Sequence, residues 1–170
     1  MNLVPHHIRS SVYDIAPEEL ERAGVRLLLA DLDNTLAAYG QRAASPELHT
    51  WKEALARHGV TLFILSNSRK PTRARTFAES LGVPFVGHAG KPKTRAFFRV
   101  MEQQGVTPEE TAIVGDQIFT DIWGGNRSGV HTYLVHPLRL DTVFRRLRFR
   151  LETLFRTACP DDRTKEKKEG

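Results

Sequence analysis

Short apolar runs alternate with longer segments of helical period along this chain. Residues 25–30 (VRLLLA) and 60–65 (VTLFIL) are nearly continuous apolar stretches of strand length, the first running straight into acid and turn residues. Runs of this kind belong to strands covered on both faces, as in a parallel sheet. Between them, Ser45 and Pro46 stand as N-cap and first-turn proline, Leu48, Trp51 and Leu55 share one face, and Gly59 closes the segment. The alternation then repeats. Residues 71–81 place Ala74, Phe77, Ala78 and Leu81 on one stripe ahead of Gly82, and residues 84–86 are a short third strand. Residues 92–104 predict a helix stopped by Gly105, and Thr107 to Glu110 (TPEE) carry the capping-box pattern of a short helical turn. Residues 112–114 and 130–135 are the fourth and fifth strands. The helix between them, 120–128, is weakened by Gly124 and Gly125. Ahead of all this, residues 1–24 form a lead-in with one short helix, opened by Pro17 and closed by Gly24. The whole predicts an α/β domain: a five-stranded parallel sheet flanked by helices.

After the fifth strand the character changes. Leu140, Val143, Phe144, Leu147, Leu151, Leu154 and Phe155 recur at helical spacing, among Arg139, Arg145, Arg146, Arg148, Arg150 and Arg156. Residues 140–157 therefore predict a basic amphipathic helix. It either docks on the sheet with its arginines in water or lies on an anionic surface. Residues 158–170 have mixed charge and almost no apolar content and predict a disordered tail. The length of 170 residues leaves room for one domain, taken as 1–157, with lead-in 1–24 and chemistry in 25–135. One cysteine excludes an internal disulfide framework and a Cys-based zinc cluster, and points to a reducing, cytoplasmic setting. No apolar stretch is long enough to span a bilayer, and the polar N-terminus lacks the core of a signal peptide. The net charge of +5 favours an anionic partner.

In an open parallel sheet, ligands sit at the carboxyl ends of the strands. The first strand delivers Asp31, Asp33, Asn34 and Thr35 there (DLDNT), and the second delivers Ser66 and Asn67. Lys91 follows the third, and the fourth delivers Asp116 with Thr120 and Asp121 one turn later. Acids gathered at one edge repel one another, and a divalent cation relieves that. All-oxygen ligands favour magnesium, which keeps waters and binds phosphate readily. A lysine opposite the acids suits an anionic substrate whose charge grows during reaction. Metal, cation and a carboxylate able to attack outline a phosphoryl-transfer site.

DLDNTL, SN, KP and GDQIFTD, in this order over residues 25–135, resemble the four signature motifs of the haloacid dehalogenase superfamily of phosphatases. The resemblance implies a Rossmann-like fold and a set of roles. Asp31 attacks phosphorus and becomes an aspartyl phosphate. Asp33 protonates the leaving oxygen and then activates water. Asp31, the backbone carbonyl of Asp33, and Asp116 hold magnesium. Ser66, Asn67 and Lys91 bind the phosphoryl group, Lys91 also steadying Asp31, and Thr35 orients the loop. Asp121 is either a neighbour of the metal or a hydrogen-bond anchor. Members of the superfamily often carry a cap domain between these motifs. Here the intervals from Thr35 to Ser66 and from Ser66 to Lys91 are filled by one helix and its linkers each, so no cap fits.

The lead-in LVPHHIRSSVYDI and the segment TDIWGGNRSGVHTYLVHP further resemble the YqeG family of subclass IIIA phosphatases, which is similar to the mitochondrial phosphatidylglycerophosphate phosphatases. This implies a phosphorylated, lipid-anchored and anionic substrate at the inner face of a membrane, consistent with an open cleft and a basic helix. Soluble phosphorylated metabolites are the alternative, followed by nucleic-acid ends or a binding module without turnover. Nucleic acid is disfavoured because no aromatic–basic interleaving surrounds the cleft loops. A receiver domain, which also gathers acids around magnesium, is excluded because the third strand ends in PFVGHAG with no acid to phosphorylate. The seven histidines show no metal spacing, Trp51 and Trp123 read as packing, and Asn126 and Arg127 sit near enough to the fourth motif to touch phosphate or simply to end a helix.

Overall fold

A computed structural model of the chain describes residues 2–68 and 71–139. The predicted basic helix 140–157 and the tail 158–170, with Cys159, lie outside the described residues. Six parallel strands form one sheet in the order β1-β6-β5-β2-β3-β4. They are β1 (His7–Arg9), β2 (Leu27–Ala30), β3 (Thr61–Leu65), β4 (Phe85–Val86), β5 (Thr111–Gly115) and β6 (His131–Val135). Among the described residues five α-helices accompany them: α1 (Pro17–Arg22), α2 (Pro46–Arg57), α3 (Pro71–Leu81), α4 (Arg95–Gln104) and α5 (Trp123–Ser128).

The apolar runs divide between two faces, as the period of two along a strand requires. Leu28, Ala30, Leu62, Ile64, Ala112 and Val114 join a core with Leu20 of α1, Leu48, Trp51 and Leu55 of α2, and Phe77 and Leu81 of α3. Their neighbours Leu27, Leu29, Phe63, Leu65 and Ile113 join another core with Phe97, Val100 and Met101 of α4. Covering both faces is what makes these strands continuously apolar rather than alternating. The helix signals read from the sequence are present: Ser45 Oγ accepts from the Leu48 amide at 3.2 Å, and Gly105 takes the left-handed conformation at the end of α4 with φ 65°.

Three expectations are corrected. The sheet has six strands rather than five, because His7–Arg9 of the lead-in pairs in parallel with β6, His7 opposite Tyr133. Its polar sequence carries no apolar run. Its pairing partner, and the stacking of His7 on Tyr133 at 4.5 Å, come from the far end of the fold. The helix expected from Pro92 starts only at Arg95, because residues 91–94 turn to deliver Lys91. The helix expected over 120–128 is present as α5 from Trp123 to Ser128, but its first part is a wide π-helical turn, Ile118–Ile122.

The two glycines that weaken α5 by propensity fit it to the sheet. A Cβ on Gly125 would stand 2.5 Å from Ile113 Cγ2 and 2.6 Å from Thr132 Cγ2, so a side chain there has no room. The intervals between the motifs hold α2 in the first case and α3 with β4 in the second. No cap-sized insertion occurs among the described residues.

Candidate active site

The central strands end side by side at one edge. Asp31 follows β2, Ser66 follows β3 and Asp116 follows β5. The ladder carries on into these residues, the Asp31 amide donating to Val114 at 3.0 Å and the Ser66 amide to Val86 at 2.9 Å. Beyond β2 the chain turns sharply. Asn34 adopts φ 66°, a left-handed conformation that asparagine tolerates better than most residues. Its amide donates to the Ala37 carbonyl at 2.7 Å, and the Ala37 amide donates to Leu32 at 3.1 Å. This turn holds Asp31 and Asp33 in the wall of the same open cavity, of about 190 Å³, with Tyr39, Ser66, Asn67, Ser68, Lys91, Gln117 and Thr120.

Lys91 is fully buried among acceptors. Its Nζ donates to Asp31 Oδ1 at 2.7 Å and to the Leu65 carbonyl at 2.6 Å, and it forms an ion pair with Asp121 Oδ1 at 2.6 Å. Burial alone would lower its pKa. The carboxylates of Asp121 and Asp31 outweigh burial and hold its pKa above the ordinary lysine range, so it is an ammonium at any physiological pH. Asn67 fixes the loop that carries it: the Lys91 amide donates to Asn67 Oδ1 at 2.9 Å, and Asn67 Nδ2 donates to the Lys91 carbonyl at 3.0 Å. Both ends of the Asn67 amide thus hold the Lys91 loop, and the residue also lines the cavity. Thr35 likewise reaches Asp116, donating to Oδ1 at 3.4 Å, and does not line the cavity. Ser66 Oγ lies in the cavity wall and accepts from the Ser68 amide at 3.0 Å.

Asp121 is the residue whose place the sequence left open. The wide turn Ile118–Ile122 swings it back under Asp116, where it is fully buried and accepts from the Gln117 amide at 3.2 Å. A π-helical turn of this kind is a recurrent way to re-aim one side chain at a site. Room for it comes from Gly115: a Cβ there would lie 2.3 Å from the Asp121 carboxyl carbon. Asp31, Asp116 and Asp121 each offer one carboxylate oxygen within 4.8 Å of the others. The side-chain cluster therefore contains Asp121 where sequence placed Asp33, whose expected contribution was its carbonyl.

The charges test whether a cation fits. Four carboxylates meet two cations here: Lys91 against the cluster, and Arg73 of α3 against Asp33 at 2.5 Å. Two negative charges are left over. Three hard oxygens and a two-charge deficit match a divalent metal ion. The imbalance also shows in Asp121. Burial pushes its pKa up to about 6, with Asp31 adding to the rise and Lys91 opposing it.

That direction has a measurable sign. In metal-free protein Asp121 binds its proton more tightly folded than unfolded. Its contribution to stability is fully present below its ordinary value of 3.8 and is lost as pH rises through about 6. With chelator present, the thermal midpoint of wild type is expected to fall relative to that of Asp121→Asn as pH is raised from about 4 to about 7. A difference that stays level across that window contradicts the assignment.

Tyr39 in the cavity wall and Arg73, packed against Asp33 behind it, are the residues that sequence reasoning missed. Arg73 Nη2 donates to the Ala38 carbonyl at 3.1 Å, and its guanidinium lies 5.6 Å from the centroid of the Tyr39 ring. No spacing rule separates Arg73 from Arg75 two positions on, so nothing in the sequence points to it. Asn126 and Arg127 serve the fold instead of the cavity. Asn126 Nδ2 donates to the carbonyls of Asn2 and Val4, and Arg127 donates to Pro92 and stacks over Trp123.

Comparison with known proteins agrees with this geometry. A family model described as haloacid dehalogenase-like hydrolase matches residues 7–129. The chain is 38% identical over 135 residues to the probable phosphatase YqeG of Bacillus subtilis, covering 79% of this chain and 78% of that protein. It is 31% identical over 144 residues to phosphatidylglycerophosphate phosphatase 1, chloroplastic/mitochondrial, of Arabidopsis thaliana, covering 80% of this chain but only 41% of the plant protein's length. Among solved structures, a cobalt-bound deoxy-D-mannose-octulosonate 8-phosphate phosphatase of Haemophilus influenzae superposes with a TM-score of 0.51 at 20% identity, over 81% of this chain and 91% of that one. A Listeria monocytogenes protein superposes with a TM-score of 0.54 at 16% identity, over 78% and 99% respectively. These two likenesses speak for the fold.

Proposed function

We propose, for a chain that belongs to the haloacid dehalogenase-like hydrolases and is a phosphatase of that superfamily, that it hydrolyses phosphomonoesters with magnesium through an aspartyl phosphate on Asp31. The observation that carries this reading is the meeting of Asp31, Asp116 and Asp121 around Lys91 at one sheet edge. Asp31, Asp116 and the Asp33 carbonyl hold the metal ion, with Asp121 beside them, and the ion supplies positive charge against the phosphoryl oxygens. An Asp31 carboxylate oxygen attacks phosphorus as the bond to the leaving oxygen breaks. Asp33 gives that oxygen a proton. It then takes one from water, which attacks phosphorus, frees phosphate and restores Asp31. Splitting one hydrolysis into two displacements is the benefit of a covalent intermediate. Ser66 donates to a phosphoryl oxygen. Lys91, held charged by Asp121, neutralises the phosphoryl group while keeping Asp31 aimed. Asn67 and Thr35 position Lys91 and Asp116.

The substrate we infer is an anionic lipid phosphate, with phosphatidylglycerophosphate the specific reading. Two relatives carry that name, and the chain spans about half or less of their length. The cavity is smaller than the roughly 300–1,000 Å³ that encloses a whole small ligand. It takes the phosphoryl end and leaves the rest of the molecule outside, as a substrate anchored in a bilayer needs. The net charge of +5 favours such a surface. No helix among the described residues is long and apolar enough to cross a membrane. The contact we infer is peripheral, at the inner face of the membrane. A single capless domain over 1–157 completes the reading.

A substrate panel with magnesium tests it. Phosphatidylglycerophosphate in mixed micelles is expected to be turned over with a kcat/KM at least about tenfold above a sugar phosphate of similar charge, and chelator abolishes both activities. Equal efficiency on the two ends the lipid assignment. Turnover of neither ends the phosphomonoesterase.

A further inference from the structure

Arg73 has no part in the reaction outlined above, yet its guanidinium is built against Asp33. It stands in the first turn of α3, which follows the loop carrying Ser66 and Asn67. Nη1 lies 2.5 Å from Asp33 Oδ1, Nη2 donates to the Ala38 carbonyl at 3.1 Å, and the group stacks over the half-exposed ring of Tyr39. Its side chain is only 11% exposed, and its buried Nε makes no hydrogen bond.

This pairing conflicts with the work assigned to Asp33. Oδ1 of Asp33 faces Arg73, so a carboxylate that swings this oxygen to a leaving group gives up the pair. That turn leaves a nearly buried guanidinium without a counter-charge, which is strongly unfavourable unless another anion replaces the carboxylate. The Arg9–Glu19 ion pair is placed differently. Arg9 bonds both Glu19 and the Ile8 carbonyl, and Glu19 also accepts from Tyr133, away from the cavity. Arg73 instead lies directly behind two residues of the cavity wall, Asp33 and Tyr39, and its sealed Nε still lacks an acceptor. Because the cavity admits only the phosphoryl end, the leaving group passes over this part of the wall.

We propose that Arg73 determines specificity by binding a second phosphoryl anion carried on the leaving group, such as a phosphodiester, and so releases Asp33 to face the leaving oxygen. The proposal rests on the phosphomonoesterase reading and names the substrate class within it. A guanidinium presents parallel N–H donors that match two phosphoryl oxygens, which a lysine does not. The second anion belongs either to a lipid headgroup or to a soluble diester, and the recognition is the same.

The test uses the full chain with magnesium and three substrates: glycerol 3-phosphate, glycerophosphoglycerol phosphate, which adds the phosphodiester, and phosphatidylglycerophosphate in mixed micelles. Wild type is expected to favour the second over the first by about tenfold or more in kcat/KM. Arg73→Met brings that ratio to within about twofold, and Arg73→Lys lies between, keeping charge without the fork. An equal ratio in wild type, or one that both variants leave unchanged, overturns the proposal. A matching loss with the micellar lipid assigns the anion to its headgroup. Selectivity confined to the lipid and surviving Arg73→Met overturns the proposal. Calorimetry with glycerophosphoglycerol, which has the diester but no phosphomonoester, reads the subsite without turnover. Binding about tenfold weaker in Arg73→Lys supports it, even if Arg73→Met does not fold, and equal affinity overturns it. If no phosphomonoester is hydrolysed while this binding still depends on Arg73, the hydrolase reading fails and the anion subsite stands.

Discussion

Asp31→Asn is expected to remove phosphomonoester hydrolysis, by a factor on the order of 10⁴ or more, while leaving the fold intact. The amide keeps the shape of the carboxylate but is too poor a nucleophile to attack phosphorus. Its stability cost is small, because the substitution takes one negative charge from a cluster with two to spare, and Asp121 continues to pair with Lys91 at 2.6 Å. Kinetics on a simple aryl phosphate, set beside a thermal melt in chelator, separates the two effects. Activity lost together with a large drop in midpoint would make Asp31 a structural acid. Activity retained within about tenfold would exclude it as the nucleophile.

Lys91→Met carries the largest expected stability effect. Lys91 is the cation between Asp31 and Asp121, and it is fully buried with them. Removing it leaves buried carboxylates facing one another, a change that typically costs about 3–5 kcal/mol. Urea denaturation in chelator is expected to show a loss of that order, and saturating magnesium returns part of it by supplying the missing charge. Adding Asp121→Asn to Lys91→Met relieves the repulsion and is expected to restore much of the stability but none of the activity. If Lys91→Met melts like wild type in chelator, the charge balance described for the site is wrong.

The elements that the sequence made legible are those whose cause is local. Strands β2, β3, β5 and β6 are buried on both faces, and an unbroken apolar run is the mark that such burial leaves. Helix α2 could be read from its cap, its stripe and its glycine. Because strand ends are where a parallel sheet gathers ligands, locating the strands also located Asp31, Ser66 and Asp116. What escaped depends on partners distant in the chain. Strand β1 exists only because β6 offers an edge to His7–Arg9. The place of Asp121 depends on a widened turn and on the missing side chain of Gly115, and neither is a periodicity. Asn67 and Thr35 were identified as site residues by motif; that their hydrogen bonds also fix the Lys91 loop and Asp116 is seen only in the fold. Arg73 is one arginine among several on an ordinary amphipathic helix, and only coordinates show it turned to Asp33.

Hydrolysis at this site depends on covalent capture of phosphorus by Asp31. Rapid acid quench during turnover of a radiolabelled phosphomonoester, followed by peptide mapping, is expected to find a hydroxylamine-sensitive phosphoryl group on the peptide carrying Asp31, and none in Asp31→Asn. Steady turnover with no label on that peptide, or label on another residue, would contradict it.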